Sequence, residues 1–190
     1  MRYVIEHLEP KLYKWCLLEY GHISERVGKE HVLFTNLKPD WMEQLKPFGQ
    51  VEGASVKLLT QLGKLGRVCL LDPEAQDRLE VSDAKKFDTL IFGGILGNHP
   101  PEARTKKIFP ESLGWERRNL GKAQMATNTA VIVAQKIMNG TPLGEMEFTE
   151  PLIIPVEKSE EIILPYRYLK ENGQIVLPEG YAEFVRRKGL

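Results

Sequence analysis

Four short apolar runs in the first half of the chain constrain its fold more than any other feature of the sequence. They occupy residues 3–5, 32–34, 68–71 and 89–92, and each ends at a polar, proline or glycine break. The stretches between them carry apolar residues at helical spacing, most clearly up to Gly28. Continuous apolar strands that alternate with helices are typical of a parallel sheet buried on both faces. The sequence therefore predicts an α/β fold with helices on both sides of a parallel sheet.

The second half of the chain changes character after one apolar helix. Residues 124–138 are small and apolar nearly all round, which predicts a deeply buried helix with Thr127 or Asn128 as its N-cap. Beyond it, apolar runs separated by proline or glycine predict short strands at 152–154, 162–164 and 175–177. We therefore expect a main domain over residues 1–145 and a small β-rich extension over residues 146–190.

The charge balance argues against a general attraction to nucleic acid or membranes. The chain has 26 lysine and arginine residues against 26 acidic residues, so its formal net charge is zero, and nucleic-acid contact would need a local basic patch. Cys16 and Cys69 stand alone in apolar stretches, without the spacing of a zinc site. The N-terminal segment is too charged for a signal peptide, and no apolar run approaches the ~18 residues that span a bilayer. We expect a cytoplasmic protein with reduced cysteines, no metal and no membrane contact.

Two of the predicted strands end in segments suited to ligand binding. Leu71 is followed by Asp72 and Pro73, and Phe92 is followed by a loop at 93–101 with three glycines and two prolines. In open α/β sheets ligands sit beyond the carboxyl ends of the strands, and glycine permits close approaches that a Cβ would block. The loop lacks the Gly-x-Gly-x-x-Gly dinucleotide fingerprint, because position 92 is phenylalanine. By itself, the loop is equally compatible with a turn that only reverses the chain.

Three stretches of the sequence resemble the SPOUT methyltransferases. They are residues 67–73 (Arg-Val-Cys-Leu-Leu-Asp-Pro), residues 92–101 and residues 124–127 (Gln-Met-Ala-Thr). The resemblance is narrowest to a branch that contains a yeast arginine methyltransferase acting on a small-ribosomal-subunit protein, together with archaeal relatives described as RNA methyltransferases. It implies a C-terminal trefoil knot, here within about residues 67–140, that holds S-adenosylmethionine (SAM).

The same resemblance implies which residues hold the cofactor. They lie at the end of the third predicted strand, in the glycine loop, after the Arg117–Arg118 pair and at the start of the buried helix. The expected cofactor-binding residues are Leu71, Phe92, Gly93, Gly94, Ile95, Leu96, Gly97, Asn119, Leu120, Met125 and Thr127. Adenine and methionine would be held largely by main-chain groups and apolar walls.

Carboxylates near the strand ends are the candidates for substrate chemistry. Because an arginine stays protonated at neutral pH, a methyltransferase acting on it should hold the guanidinium against acids. The candidate catalytic acids are Asp72, Glu19 and Glu6, with Glu111 near the same loops. Each also has a structural interpretation: Asp72 begins an ordinary turn, Glu19 is partly exposed on the apolar stripe of its helix, and Glu6 forms a hydrogen-bonded pair with His7.

The leading prediction is SAM-dependent methylation of an arginine in a small-ribosomal-subunit protein. One alternative is methylation of ribosomal or transfer RNA by the same fold, for which the basic residues within 104–107 and 117–122 offer local positive charge. Another is a non-catalytic, ribosome-associated module that binds SAM. SPOUT proteins are usually homodimers, but the extra C-terminal sequence of this branch is compatible with a monomer.

Overall fold

A six-stranded parallel sheet dominates the computed structural model, which describes residues 1–94, 104–156 and 160–188. The strands of the sheet are β1 (Arg2–His7), β2 (Val32–Thr35), β3 (Gln50–Val51), β4 (Val68–Leu71), β5 (Thr89–Gly94) and β6 (Glu116–Arg118). The helices that accompany them are α1 (Lys14–Val27), α2 (Pro39–Leu45), α3 (Val56–Gln61), α4 (Arg104–Ile108) and α5 (Thr127–Met138). This confirms the predicted α/β class.

The strand order across the sheet is β3-β2-β1-β5-β4-β6, and all neighbouring pairs run parallel. The four strands that the apolar runs predict are confirmed as β1, β2, β4 and β5. The two edge strands, β3 and β6, escape prediction because they are two and three residues long and mostly polar. An edge strand needs a pairing neighbour on one side only and buries less of its surface.

Alternate strand residues enter two separate cores, because successive side chains of a strand point to opposite faces. Tyr3 and Ile5 of β1 belong to the larger core, which also contains the buried residues of α1 and α5. Val4 belongs to the smaller core, together with Val56 and Leu59 of α3. Both faces of the sheet are therefore covered, as the continuous apolar strands predict.

Helix α5 is the predicted buried helix, and nine of its 12 residues are buried. Its N-cap position is Ala126, so the prediction of Thr127 or Asn128 as the cap is wrong, and both lie in the first turn. Glu19 of α1 lies close to this first turn, since the backbone N–H groups of Thr127 and Asn128 act to lower the pKa of its carboxyl.

The C-terminal part forms two small antiparallel sheets and a helix. Its elements are β7 (Glu147–Thr149), β8 (Leu152–Pro155), β9 (Glu161–Leu164), β10 (Tyr168–Glu171), β11 (Gln174–Ile175) and α6 (Tyr181–Lys188). One sheet has the order β11-β10-β7, and β8 pairs with β9. Leu169 and Val176 belong to the larger core, and Phe148 packs against it. The C-terminal part thus contributes to the larger core, and its other buried residues form a third core cluster, made of Leu152, Ile154, Leu164, Tyr166, Tyr168, Tyr181 and Val185.

The described residues also bear on the expectations about membranes, metals and cysteines. No helix among them combines the length and apolar character needed to cross a bilayer. Nor do they contain a group of three or more His, Cys, Asp or Glu side chains placed to hold a metal ion. Cys16 and Cys69 are both free and buried, which confirms them as core residues.

Candidate active site

The predicted cofactor residues that the structure describes follow the carboxyl ends of adjacent strands. Leu71 ends β4 and residues 92–94 end β5, while Asn119 comes directly after β6, the neighbour of β4. Met125 and Thr127 flank the start of α5. The side chains of Leu71, Phe92 and Leu120 are buried in the larger core, and Met125 packs against it. The predicted Ile95, Leu96 and Gly97 lie outside the described residues.

Asn119 joins the segment after β6 to the connection between β4 and β5. Its side-chain amide donates to the carbonyl oxygens of Ala75, at 2.8 Å, and Asp77, at 3.1 Å. Its backbone N–H donates to the Asp77 carbonyl at 2.8 Å, and its own carbonyl accepts from Leu79 N–H at 2.9 Å. Because its amide nitrogen is committed to the protein backbone, Asn119 shapes this edge of the sheet rather than offering that group to a ligand.

Arg118 joins β6 to the same β4–β5 connection through ion pairs. Its Nε donates to Asp83 at 3.1 Å, and its guanidinium lies 5.2 Å from the centre of the Phe87 ring. Both Arg118 and Asp83 are buried. A second bond, to Glu116 at 2.9 Å, comes from its own strand. Arg118 therefore fastens β6 to the β4–β5 connection.

Gly94 is packed closely against β1 and α1. A Cβ at Gly94 would stand 2.9 Å from Ile5 Cγ2 and 3.1 Å from the Glu6 carbonyl, and it would overlap the Tyr20 hydroxyl. That hydroxyl is also 3.0 Å from His7 Nδ1. The glycine is required here because β1 and α1 fill the space that a side chain would occupy.

Asp72 already holds a guanidinium of its own chain. Its side chain is 4% exposed and accepts from Arg117 Nη1 at 2.7 Å, while its other oxygen accepts from the Glu74 backbone N–H at 3.0 Å. Arg117 also donates to the Phe109 carbonyl, and Phe109 belongs to the smaller core. This pairing supports the interpretation of Asp72 as a residue that organises the turn after β4.

The carboxylate of Glu6 is also fully hydrogen-bonded within the protein. One of its oxygens accepts from Thr35 Oγ1 and from the Val56 backbone N–H, at 2.9 Å, and the other accepts from Ser55 Oγ. Ser55 and Val56 form the start of α3, so Glu6 ties β1 and β2 to that helix. Its partners are these groups rather than His7, which bonds to Tyr20 instead.

Glu19 differs from the other candidates, because one of its oxygens has no partner. The residue is 2% exposed, so the expectation that it is partly exposed is wrong: its position on the apolar stripe of α1 carries it into the contact with α5. Among the described residues, no group hydrogen-bonds to Oε2. Burial raises the pKa of the Glu19 carboxyl to about 8, against a smaller opposite effect of the Asn128 and Thr127 N–H groups. Glu19 is therefore a buried and largely neutral acid at pH 7.

Tyrosines of the C-terminal part form a cluster against which Leu18, next to Glu19, packs, and sequence reasoning missed them. The charge of Glu19 contributes to raising the pKa of Tyr166, Tyr168 and Tyr181, after the larger effect of burial on each. The alternation of Tyr166 and Tyr168 in the sequence is the signal that points to them, since only one face of an extended segment meets the core.

The structure does not bring the four candidate acids together. Glu6 binds the start of α3, Asp72 binds Arg117, and Glu19 lies between α1 and α5. Glu111 is exposed and pairs with Lys106 at 2.9 Å. Only Glu19, among these four, is a buried acid with an unpaired oxygen.

Comparisons with known proteins agree with this arrangement of the fold. The protein arginine N-methyltransferase SFM1 of Saccharomyces cerevisiae is 35% identical over an alignment 204 residues long, gaps included, which covers 98% of this chain and 95% of that protein. The crystal structure of yeast SFM1 complexed with SAM is similar with a TM-score of 0.89 and 32% identity, covering 99% of this chain and 91% of that one.

A more distant relative shares the fold alone. The dual specific Trm10 from Thermococcus kodakaraensis is 18% identical with a TM-score of 0.59, over 76% of this chain and 96% of that chain. The family model described as protein arginine N-methyltransferase SFM1-like matches residues 2–189. These similarities confirm the resemblance to SPOUT methyltransferases, and the chain belongs to the SFM1-like family of protein arginine N-methyltransferases.

Proposed function

We propose that this chain transfers a methyl group from SAM to an arginine side chain of a protein. The observation that carries the proposal is the 35% identity to the yeast arginine methyltransferase over 98% of the chain. Solved structures of that yeast enzyme include complexes with SAM, SAH and MTA. Radiolabelled SAM tests the proposal directly: label should enter a protein fraction, and acid hydrolysis should release it as methylarginine.

In this proposal SAM binds at the carboxyl edge of the sheet. Leu71, Phe92, Leu120 and Met125 offer apolar walls for an adenine ring, and Gly121 has a φ of +94° that turns the backbone sharply after Asn119. SAM would supply the methyl group on its sulfonium. In this proposal the remaining predicted cofactor residues, Gly93, Gly94, Ile95, Leu96, Gly97 and Thr127, complete the pocket from the β5 loop and the α5 start.

Among the candidate acids, the geometry favours Glu19 as the group that receives the substrate guanidinium. A guanidinium carries only N–H donors and needs free hydrogen-bond acceptors. The carboxylate oxygens of Asp72 and Glu6 already accept hydrogen bonds from Arg117 and from the start of α3. Glu19 keeps a free oxygen. The guanidinium nitrogen that gains the methyl group must lose a proton, and a carboxylate of raised pKa is well matched to accept it.

Two isosteric substitutions separate Glu19 from Asp72. Glu19→Gln should leave SAM affinity unchanged and slow methylation by at least ~100-fold, the usual scale of a lost proton acceptor. Asp72→Asn should chiefly lower stability, because it weakens the pair with Arg117. Calorimetric SAM titration and single-turnover methylation measure both effects. A larger loss of turnover in Asp72→Asn than in Glu19→Gln would reverse the assignment.

The proposed substrate is an arginine of a small-ribosomal-subunit protein. The zero formal net charge of this chain supports a protein substrate over RNA. Labelled ribosomal material that lacks the modification should lose its label on protease digestion and keep it on nuclease digestion. Loss of the label on nuclease treatment would show that the substrate is RNA. Tight SAM binding without turnover on any ribosomal fraction would instead identify a non-catalytic module.

We propose that the chain is knotted within about residues 67–140. The segment after β6 lies against the β4–β5 connection, where Asn119 and Arg118 bind it, and β6 is placed beside β4 although β5 precedes it in the chain. A crystal structure that traces residues 95–103 decides the threading, and an unthreaded path would end the proposal.

The organisation of the whole chain is proposed in the same way. Residues 1–145 would form the methyltransferase domain and residues 146–190 a β-rich extension beside the substrate site. The enzyme would act in the cytoplasm, in agreement with its two free cysteines. Light scattering of the purified chain distinguishes a monomer from a SPOUT-type homodimer.

A further inference from the structure

Buried polar atoms without partners concentrate around the first turn of α5. Within the described ranges, five buried side-chain atoms have no hydrogen-bond partner, and four of them belong to this region. These four are Glu19 Oε2, Asn128 Oδ1, Thr129 Oγ1 and the Tyr168 hydroxyl. Folded proteins leave few such atoms unpaired, and each one asks for an explanation, such as a ligand or a catalytic role.

Tyr168 lies close to α1 and to the start of α5, because Leu18, the neighbour of Glu19 along α1, and Ala126 both pack against the cluster that contains Tyr168. Burial is the main cause that raises the pKa of Tyr168, and the charges of Tyr181 and Glu19 contribute to it. Tyr168 is 1% exposed. The chain just before β10 is held against the start of α5 by the Arg167 N–H, which donates to the Gln124 carbonyl at 2.8 Å. The two unpaired groups are thus fixed by separate parts of the fold.

The chemistry of the two groups selects a cation that carries only donors. A carboxylate oxygen and a phenol oxygen both accept hydrogen bonds, and a guanidinium offers five N–H donors in a plane and no acceptor. Citrulline, which replaces one nitrogen by a carbonyl oxygen, would present an acceptor and no charge. The pair therefore favours arginine over citrulline, because only the charged guanidinium stabilises the ionised form of Glu19.

We propose that Tyr168 is a substrate-binding residue, and that Glu19 Oε2 and the Tyr168 hydroxyl together bind the guanidinium of the arginine that is methylated. This proposal rests on the proposed function and names the groups that recognise its substrate. It makes the C-terminal part of the chain a contributor to the active site.

Binding of arginine then releases a proton. The free carboxyl of Glu19, with its pKa of about 8, is mostly protonated at pH 7, and a guanidinium at Oε2 stabilises the anion. The titratable groups whose pKa the Glu19 charge raises are Cys16, Tyr20, Tyr166, Tyr168 and Tyr181. All of these are neutral at pH 7, so the proton that is released comes from Glu19.

Calorimetry with N-acetyl-arginine methylamide tests the pair on the full-length chain. Titrations at pH 7 in phosphate and in Tris, which differ in ionisation enthalpy, should show close to one proton released per arginine bound, and none in Glu19→Gln. Tyr168→Phe should weaken binding at least ~10-fold, the effect of one lost hydrogen bond to a charged group. N-acetyl-citrulline methylamide should bind more weakly and release no proton. The matched control is Tyr3→Phe, a buried core tyrosine at the amino end of β1, which should leave the affinity unchanged.

Kinetics supply a second measurement. Tyr168→Phe should raise KM for the protein substrate about tenfold while SAM affinity stays constant, because the substitution removes only the hydroxyl that contacts the guanidinium. Unchanged arginine affinity and KM in Tyr168→Phe would overturn this inference even if the wild-type chain methylates proteins. If Tyr168→Phe fails to fold, the carbon resonance of the Glu19 carboxyl in the wild type decides: its pKa must fall when the arginine amide is added. Failure of the wild type to label any protein would count against the proposed function instead.

Discussion

At the scale of single residues, the environment of each acid decides its chemistry. Glu6, Asp72 and Glu19 are all buried, with at most 4% of their surface exposed. Both carboxylate oxygens of Glu6 and of Asp72 have hydrogen-bond partners, whereas one oxygen of Glu19 has none among the described residues. Glu6 accepts from a threonine, a serine and a backbone N–H, and Asp72 accepts from an arginine. Glu19 is buried with no hydrogen-bond partner for Oε2 among the described residues, so its neutral form is favoured.

The raised pKa of Glu19 makes stability depend on pH in a defined direction. Between the ordinary value of 4.5 and the folded value of about 8, the folded chain holds a proton that the unfolded chain has lost. Stability therefore falls as pH rises from about 5 to 8, by at most about 5 kcal/mol from this group. Glu19→Gln should remove this loss. Urea unfolding of both chains at several pH values measures it, and a difference that stays constant with pH would show that Glu19 ionises normally.

The packing around Gly94 predicts a non-additive pair of substitutions. Gly94→Ala should cost about 1–3 kcal/mol by overpacking against Tyr20 and Ile5. In a Tyr20→Phe background the cost should shrink, because the overlapping hydroxyl oxygen is gone. A double-mutant cycle from urea unfolding gives the interaction energy. Equal costs of Gly94→Ala in the two backgrounds would show that the hydroxyl does not restrict this position.

At the scale of elements, polar side chains fasten neighbouring segments where backbone pairing is short. β6 is only three residues long, and Arg118 and Asn119 connect it to the β4–β5 connection through Asp83 and the backbone of residues 75–79. The sequence alone shows an arginine pair followed by asparagine. Its role is visible only once the two segments lie side by side.

Breaking the Arg118–Asp83 pair should be costly. Asp83→Ala leaves a buried guanidinium with its main buried counter-charge removed, which typically destabilises a protein by about 3–5 kcal/mol. Arg118 keeps Glu116 as a partner, so we expect the lower end of this range. The matched control is Glu43→Ala, which breaks the exposed pair with Lys46 and should change stability by less than about 1 kcal/mol. Similar losses in the two variants, measured by urea unfolding, would contradict the role of Asp83.

At the scale of the whole molecule, both proposed parts of the chain contribute to the larger core. Leu169 and Val176 from beyond residue 146 are buried with residues of α1 and α5. Glu171 of β10 also pairs with Arg26 of α1 and with Lys136 of α5, each at 2.7 Å. The larger core therefore extends across the proposed boundary at residues 145 and 146, although the C-terminal part also has a core cluster of its own around Leu152 and Tyr168.

This shared core predicts a single cooperative unfolding transition. Hydrogen exchange followed by mass spectrometry in increasing urea should give the same midpoint for peptides from residues 1–145 and from residues 146–188, because opening either part exposes the core of the other. Earlier opening of the C-terminal peptides would show that the extension unfolds independently.

The sequence by itself determined the α/β class, the four buried strands, the position of α5 and, through the SPOUT resemblance, the family. These features follow from local patterns, since apolar periodicity reports how many faces of an element are buried. It left open which acid is free, because Asp72 and Glu6 lose their acceptors to Arg117 and to α3, which are far away along the chain. It misplaced Glu19, because the burial of this residue depends on α1 packing against α5, and it placed the N-cap of α5 one or two residues too late. Burial and pairing are properties of contacts between distant segments, so only the tertiary structure decided them.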